Sequence, residues 1–139
     1  MTSSKALLRS VERGQASVAP SAFARRILFA QAIMYLVTGA WPLFHMSSFE
    51  QVAGPKTDDW LVRMVGLLAV TIGLTLLFAL RGRTITREVI LLATFSAASF
   101  TAIDLTYAIP GRISRIYLAD AAIELIYIAN GLRMLRKVR

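Results

Sequence analysis

The sequence predicts an all-α membrane protein, an antiparallel bundle of four transmembrane helices with both termini in the cytoplasm. Three observations lead to this fold class. Four apolar segments are each long enough to cross a bilayer, the chain is 56% hydrophobic and only 17% charged, and its basic residues collect on alternate sides of the chain's path. A soluble domain of 139 residues could not bury that much apolar surface, so the bilayer must supply the apolar environment.

The four predicted spans belong to one transmembrane domain over residues 21–139. They cover residues 23–44, 60–80, 86–109 and 115–135. A helix of about 20 residues, rising about 1.5 Å per residue, matches a hydrocarbon core roughly 30 Å thick. Pro110 and Gly111 predict a tight turn before the last span. Residues 1–20 are polar and basic, which predicts a cytoplasmic tail that is disordered or lies on the membrane surface.

The distribution of basic residues predicts the orientation. Of the sixteen Lys and Arg residues, three flank the spans on one side, namely Lys56, Arg112 and Arg115. Twelve flank them on the other side, namely Lys5, Arg9, Arg13, Arg25, Arg26, Arg81, Arg83, Arg87, Arg133, Arg136, Lys137 and Arg139. Basic flanks stay in the cytoplasm, so we expect a multi-pass protein of the bacterial cytoplasmic membrane. The same flanks account for the net charge of +8, and nucleic acid is not an expected partner.

The one long connection, residues 45–59, lies on the predicted outer side. Its sequence Ser47-Ser48-Phe49-Glu50 fits a capping box, which predicts a short interfacial helix, and Gly54-Pro55 would end that helix. Its ionisable side chains are candidates for binding at the outer surface: His45, Glu50, Lys56, Asp58 and Asp59. A single interfacial histidine is more often a hydrogen-bonded or solvated side chain than a catalyst.

Small residues at helical spacing predict close packing between spans. The third span offers Ala93 with Ala97 and Ala98 with Ala102, each pair four residues apart, and the second offers small residues one heptad apart, Gly66 and Gly73. Such residues let membrane helices approach closely. They support a bundle and leave open whether it forms a homo-oligomer or joins a larger membrane complex.

Four formally charged residues lie inside the predicted spans, in the outer half: Arg63, Asp104, Asp120 and Glu124. Charges inside a membrane are costly and are usually paired or functional. Antiparallel packing would bring the four to similar heights, and the spacing of Asp120 and Glu124 places both on one helix face. The polar residues expected around them are Tyr35, Tyr117 and Tyr127.

Two interpretations of this group are open. In the first, Arg63 pairs with one or two carboxylates and stabilises the bundle. In the second, three carboxylates against one arginine form a site for a cation, which could be a proton, a metal ion or a protonated amine.

Several classes of chemistry have no residues to carry them. The absence of cysteine excludes disulfide exchange and thiolate sites. The sequence has no phosphate-binding loop, nucleophile elbow or paired-histidine motif. Carboxylates with one distant histidine are a poor transition-metal site, so we expect no cofactor and no metal centre.

The stretch from Ser48 to Arg63, followed by Asp104 and by Tyr117-Leu118-Ala119-Asp120, resembles the small bacterial four-helix membrane proteins grouped as DoxX-like. The resemblance covers about residues 23–135 and implies the fold without an activity. A weaker likeness, to the EXPERA four-helix membrane proteins, implies acidic residues that hold a cationic intermediate or amine. Sterol isomerases and a sterol-binding receptor belong to that group, and none of their residue roles can be placed on this sequence.

The leading functional hypothesis is non-enzymatic. It is a binding, transport-related or accessory membrane protein with an outer-facing acidic site inside the membrane, whose partners are the lipid bilayer and a hydrophobic or cationic small molecule. The alternative is a lipid- or sterol-modifying enzyme of the isomerase type, with Glu124 or Asp120 as general acid. A third hypothesis is a structural subunit of a membrane complex.

Overall fold

The structure, a computed structural model, describes residues 16–138, and this range is mostly helical. Its helices are α1 (Ala22–Phe44), α2 (Met46–Ala53), α3 (Asp59–Ala79), α4 (Arg87–Ala108) and α5 (Ile116–Leu135). Two short strands, β1 (Ser17–Val18) and β2 (Ile85–Thr86), pair antiparallel. The long helices begin and end within one residue of the predicted segments, and α1, α3 and α4 are long and apolar enough to cross a membrane. Residues 1–15, which hold most of the predicted tail, and Arg139 lie outside the described range.

The four long helices pack as two tight pairs, α1 with α3 and α4 with α5. Contacts between α1 and α5 and between α3 and α4 join the pairs into one bundle. Glycine makes the α1–α3 crossing close, because a Cβ atom added to Gly39 would lie 2.6 Å from the carbonyl oxygen of Gly66. On α4, Ala93 and Ala97 are buried, whereas Ala98 and Ala102 are exposed. Only the first of the two predicted alanine pairs therefore packs against a neighbouring helix.

The two ends of the bundle differ in character. At one end, here called the sheet end, β1 and β2 cover an apolar core that includes Leu28, Leu76, Ile85, Ile90 and Met134. Both ends of the described chain lie here, because Val18 and Val138 pack against the same core. Arg25 donates hydrogen bonds to the carbonyl oxygens of Leu80 and Gly82 just after α3, where helical carbonyl groups lack partners. The opposite end, here called the α2 end, carries α2 and the α4–α5 turn.

The bundle is apolar outside and partly polar inside. Large apolar side chains are exposed on all four long helices, among them Phe29, Val37, Leu67, Leu68, Phe95 and Leu125. Monomers in water seldom expose so much contiguous apolar surface. Buried positions instead include Gln31, Thr101, Asp104, Glu124 and Asn130. Apolar side chains outside and polar side chains inside are the pattern expected in a bilayer, because lipid contacts the outer surface and polar groups need hydrogen-bond partners within the bundle.

The predicted capping box at Ser47 is wrong. His45 is the N-cap of α2, and its Nδ1 atom accepts a hydrogen bond from the backbone N–H of Ser48 at 3.4 Å. Glu50 does not turn back to the start of the helix, because its carboxylate accepts from the backbone N–H of Lys56 at 2.8 Å. Gly54, with φ of +86°, follows the last residue of α2 as predicted. Glu50 thus fixes the path of the connection that leaves the helix.

Candidate functional site

Three carboxyl groups meet in the half of the bundle nearest the α2 end. Asp104 lies near the end of α4, and Asp120 and Glu124 lie near the start of α5. Because these helices are antiparallel neighbours joined by a short turn at Gly111, whose φ is +76°, Asp104 and Asp120 lie at similar heights, and Glu124 lies one helical turn further from the α2 end. Glu124 is 1% exposed and Asp104 is 3% exposed, while Asp120 is half-buried. We call these three residues the acidic cluster.

A chain of hydrogen bonds ties Glu124 to the other helices. The Tyr35 hydroxyl of α1 donates to Oε2 of Glu124 at 2.9 Å. Nε2 of Gln31 donates to the Tyr35 oxygen at 3.3 Å and to the carbonyl oxygen of Ala93 at 2.8 Å. Tyr35 therefore accepts from one neighbour and donates to the next, an arrangement in which each bond strengthens the other. The chain joins α1, α4 and α5 through buried groups.

Asp104 is not satisfied in this way. Within the described residues its Oδ2 atom is buried and accepts no hydrogen bond. The carboxyl group of Asp120, on the neighbouring helix α5, lies close enough to interact with that of Asp104. Two carboxylates cannot bond to each other and repel when both are ionised, whereas one proton between them provides both a donor and an acceptor. The pair therefore lacks a positive charge that a proton or another small cation would supply.

Aromatic side chains line the cluster and its approach from the α2 end. The Phe100 ring packs edge-on against Tyr35, with ring centroids 5.3 Å apart. Tyr117 is half-buried, and Nζ of Lys56 lies 5.2 Å from the centre of its ring, a cation–π contact. Burial lowers the pKa of the Lys56 ammonium group, against the opposing influence of the Glu50 carboxylate. Tyr127 donates to Sδ of Met34 at 3.3 Å and so does not donate to the acidic cluster.

Arg63 does not join the acidic cluster. Its side chain is exposed on α3, a helix that packs mainly on α1. Glu124 takes its hydrogen bond from Tyr35, and Asp104 Oδ2 has no donor among the described residues. The structure therefore groups the three carboxyl groups, two of them buried and that of Asp120 half-buried, without the predicted arginine.

The outer-loop candidates are spread over the surface of the α2 end. His45, Asp58 and Asp59 are exposed. Asp58 accepts a hydrogen bond from the Thr57 hydroxyl at 3.3 Å and makes no side-chain bond to the helix it precedes. Of the five candidates, all of them in the part of the chain that the structure describes, only Lys56 is seen to contact an aromatic residue that lines the approach to the acidic cluster, namely Tyr117.

The arrangement does not suit a metal ion. From residue 16 to residue 138, no three His, Asp or Glu side chains are placed to hold one.

Two residues of the site were not among the sequence-based candidates. Gln31 precedes Tyr35 by one helical turn, and Phe100 precedes Asp104 by the same four residues. The helical spacing in the sequence itself places Gln31 in one polar stripe with Tyr35 and places Phe100 beside Asp104. Neither side chain carries a charge that would make it a candidate for the site.

No family model, curated protein or solved structure matches the chain. The resemblances to DoxX-like and EXPERA proteins stay predictions, and a functional assignment depends on the geometry of the acidic cluster.

Proposed function

We propose that this chain is a non-enzymatic, transport-related membrane protein whose acidic cluster binds a proton from the outer side. The observation that carries the proposal is the Asp104 carboxyl group. It is 3% exposed, one of its oxygen atoms accepts no hydrogen bond from the described residues, and it faces a second carboxyl group. A buried polar group without a partner costs on the order of 1–3 kcal/mol. A proton bound between Asp104 and Asp120 would remove this cost, because it provides the missing donor.

The proposal places the protein in the bacterial cytoplasmic membrane with four crossings and both termini in the cytoplasm. The fourth crossing is α5, whose 20 residues span about 30 Å. Glu124 is buried inside the bundle and Asp120 is half-buried, and Arg133 lies in the last turn, where a long side chain reaches the headgroups. Among the described residues, eight of the basic residues predicted to be cytoplasmic, from Arg25 to Lys137, lie at the sheet end, which supports a cytoplasmic location for that end.

A positive charge suits the cluster better than a neutral ligand. Each carboxyl group has acidic neighbours, and the nearest arginine of the predicted constellation is exposed on another helix. Lys56 supports access from the α2 end, because it already places an ammonium group over the Tyr117 ring at the rim. An organic cation with a primary ammonium group is therefore the small molecule that we expect to compete with the proton.

Infrared difference spectroscopy of the protein in lipid bilayers tests the proton site. A protonated carboxyl group has a C=O band distinct from that of a carboxylate, and we expect such a band at neutral pH. Asp104→Asn and Asp120→Asn should each remove it, because the proton needs both groups. Asp59→Asn, which changes an exposed carboxylate at the start of α3, should leave the band unchanged.

Two results would contradict the proposal. One is the absence of a protonated carboxyl band at neutral pH in the folded protein. The other is a band that survives both Asp104→Asn and Asp120→Asn in a Glu124→Gln background, where Glu124 cannot supply it. Thermal unfolding of each variant must be measured in parallel, so that a lost band is interpreted only where the bundle remains folded.

A further inference from the structure

A groove on the outside of the bundle lies between α1 and α5, on the sheet-end side of the acidic cluster. It contains a cavity of about 310 Å³ whose walls are mostly apolar: Phe23, Ile27, Leu125, Ile126 and Ala129. A second cavity of about 190 Å³ adjoins it at the sheet end and shares Phe23, Asn130 and Arg133 with it. The first cavity alone is at the lower limit of the roughly 300–1,000 Å³ typical of ligand pockets.

The groove has an apolar end and a basic end. Leu125 lies at the middle of α5 and Arg133 near its end, two turns or about 12 Å further along the helix. Arg133 lines both cavities, and Lys137 lines the one nearer the chain ends. The floor is closed, because the buried Asn130 donates from Nδ2 to the carbonyl oxygen of Ala24 at 3.2 Å.

We propose that this groove binds one anionic phospholipid. An acyl chain lies along Ile27, Leu125 and Ala129, and the phosphate contacts Arg133 and Lys137. The orientation of the groove matches that of a lipid in a bilayer. Its apolar end lies toward the middle of α5, and its basic end lies at the level of the headgroups. The charge also fits, since anionic lipids concentrate in the cytoplasmic leaflet and attract basic side chains beside a span.

The apolar walls and the two cations make a lipid a better occupant than free phosphate or a second copy of the chain. Free phosphate would leave exposed the apolar side chains Phe23, Leu125 and Ile126, which are 63%, 53% and 54% exposed. A second copy would bring the same basic residues against one another across a two-fold interface, and like charges there are unfavourable.

Native mass spectrometry of the full-length protein in detergent tests the site. Phosphatidylglycerol and phosphatidylcholine with identical acyl chains are the probes. We expect the wild type to retain one phosphatidylglycerol and to bind phosphatidylcholine about tenfold more weakly, since one class lacks the net negative charge that Arg133 and Lys137 recognise. The double variant Arg133→Gln/Lys137→Gln should reduce the preference for phosphatidylglycerol by about tenfold.

Two further variants separate charge from shape. Arg83→Gln/Arg136→Gln removes two exposed arginines that line neither cavity and should leave the preference unchanged. Ala129→Trp fills the groove from an exposed position and should displace both lipids while the thermal unfolding midpoint stays near that of the wild type. Inorganic phosphate added alone should not compete with the retained lipid.

The proposal fails if the two lipids are retained equally, or if the control double variant loses the preference as fully as Arg133→Gln/Lys137→Gln. It also fails if inorganic phosphate displaces the lipid, which would identify a simple phosphate site. A lipid-free dimer that Ala129→Trp dissociates would show that a second copy covers the groove. None of these results depends on the state of Asp104 and Asp120, so the lipid site and the proton site are tested separately.

Discussion

Glu124 depends on Tyr35 for the hydrogen bond that satisfies its buried carboxylate. Tyr35→Phe removes that donor and keeps the ring that packs on Phe100. A buried acceptor that loses its donor costs about 1–3 kcal/mol, so we expect the free energy of unfolding to fall by about 2 kcal/mol. Chemical unfolding in a mild detergent measures the loss. Tyr107→Phe, the same change at an exposed position of α4, should cost little.

A double-mutant cycle shows whether the bond itself is responsible. In Glu124→Leu the acceptor for the Tyr35 hydroxyl is absent, so adding Tyr35→Phe should cost clearly less than it does in the wild type. If the two losses simply add, the hydroxyl of Tyr35 acts through something other than Glu124.

The ammonium group of the half-buried Lys56 makes the stability of the folded protein depend on pH, and the sign of this dependence can be predicted. Its pKa in the folded protein is lowered by burial from the ordinary value of 10.5, so between the two pKa values the unfolded chain binds more protons. Stability therefore rises with pH through that window, as the unfavourable burial of the ammonium group is relieved. We expect the unfolding midpoint of the wild type to rise relative to that of Lys56→Gln as the pH approaches 10.5.

The control for this experiment is Lys137→Gln, which removes an exposed lysine at the sheet end. Its midpoint should follow the wild type across the same pH range. Equal curves for the wild type and Lys56→Gln would show that the ammonium group is not held in a desolvated position over Tyr117.

The location of individual polar residues was predicted correctly for some positions and incorrectly for Arg63. Asp104, Glu124 and Tyr35 were predicted to face inward because a charge or hydroxyl in an apolar span has no partner in lipid. The same argument applied to Arg63, which is nonetheless exposed. It lies in the second turn of α3, near the end of the helix, where a long side chain can extend its guanidinium group to the water interface. Length and flexibility, which a helical projection ignores, decide such a case.

At the scale of elements, substitutions on α4 can show which of its small residues pack against a neighbouring helix. Ala97 is 0% exposed and lies seven residues before Asp104, on the same face, whereas Ala98 points outward and is exposed. Ala97→Leu should lower the free energy of unfolding by about 1–3 kcal/mol, because the added atoms overfill a packed interface. Ala98→Leu adds the same atoms toward lipid and should cost almost nothing.

Equal effects of the two leucine substitutions would contradict the α4–α5 packing described here. Thermal unfolding in detergent, followed by circular dichroism, is sufficient to compare them. Both alanine pairs have helical spacing, and the spacing relative to Asp104 already places Ala93 and Ala97 on the same side of α4 as that residue.

The start of α2 shows how an element can satisfy a sequence signature and still fold differently. Ser47 and Glu50 have the spacing of a capping box, yet one residue separates α1 from α2. His45 is therefore both the C-cap of the first helix and the N-cap of the second. With no linker available, the helix begins before Ser47, and Glu50 is free to bind the backbone of Lys56. A local pattern is overridden here by the length of the connection.

At the scale of the whole molecule, the helix boundaries were predictable and the pairing was not. Three of the four long helices end where charges, proline or glycine interrupt the apolar segments, and these breaks are visible in the sequence; α1 instead continues past Pro42 to Phe44. Which helices pair depends on close approach at particular points, such as Gly39 against Gly66. The composition of each helix does not show which of its small residues will meet a small residue of another helix. The acidic cluster was therefore foreseen as a set of residues, and its exclusion of Arg63 was not.

Cysteine labelling decides how many times the chain crosses the membrane, because the sequence contains no cysteine that must first be removed. Four exposed positions serve, two at the α2 end (Thr57→Cys and Arg112→Cys) and two at the sheet end (Arg83→Cys and Arg136→Cys). In intact bacterial spheroplasts, a membrane-impermeant maleimide should label the first two and reach the others only after permeabilisation. The critical comparison is between residues 112 and 136, which flank α5. Opposite accessibility means that α5 crosses despite Asp120, Glu124 and Arg133, as expected if the bundle shields the two acids from lipid. The same accessibility on one side would leave three crossings and place the two ends of the chain on opposite sides of the membrane.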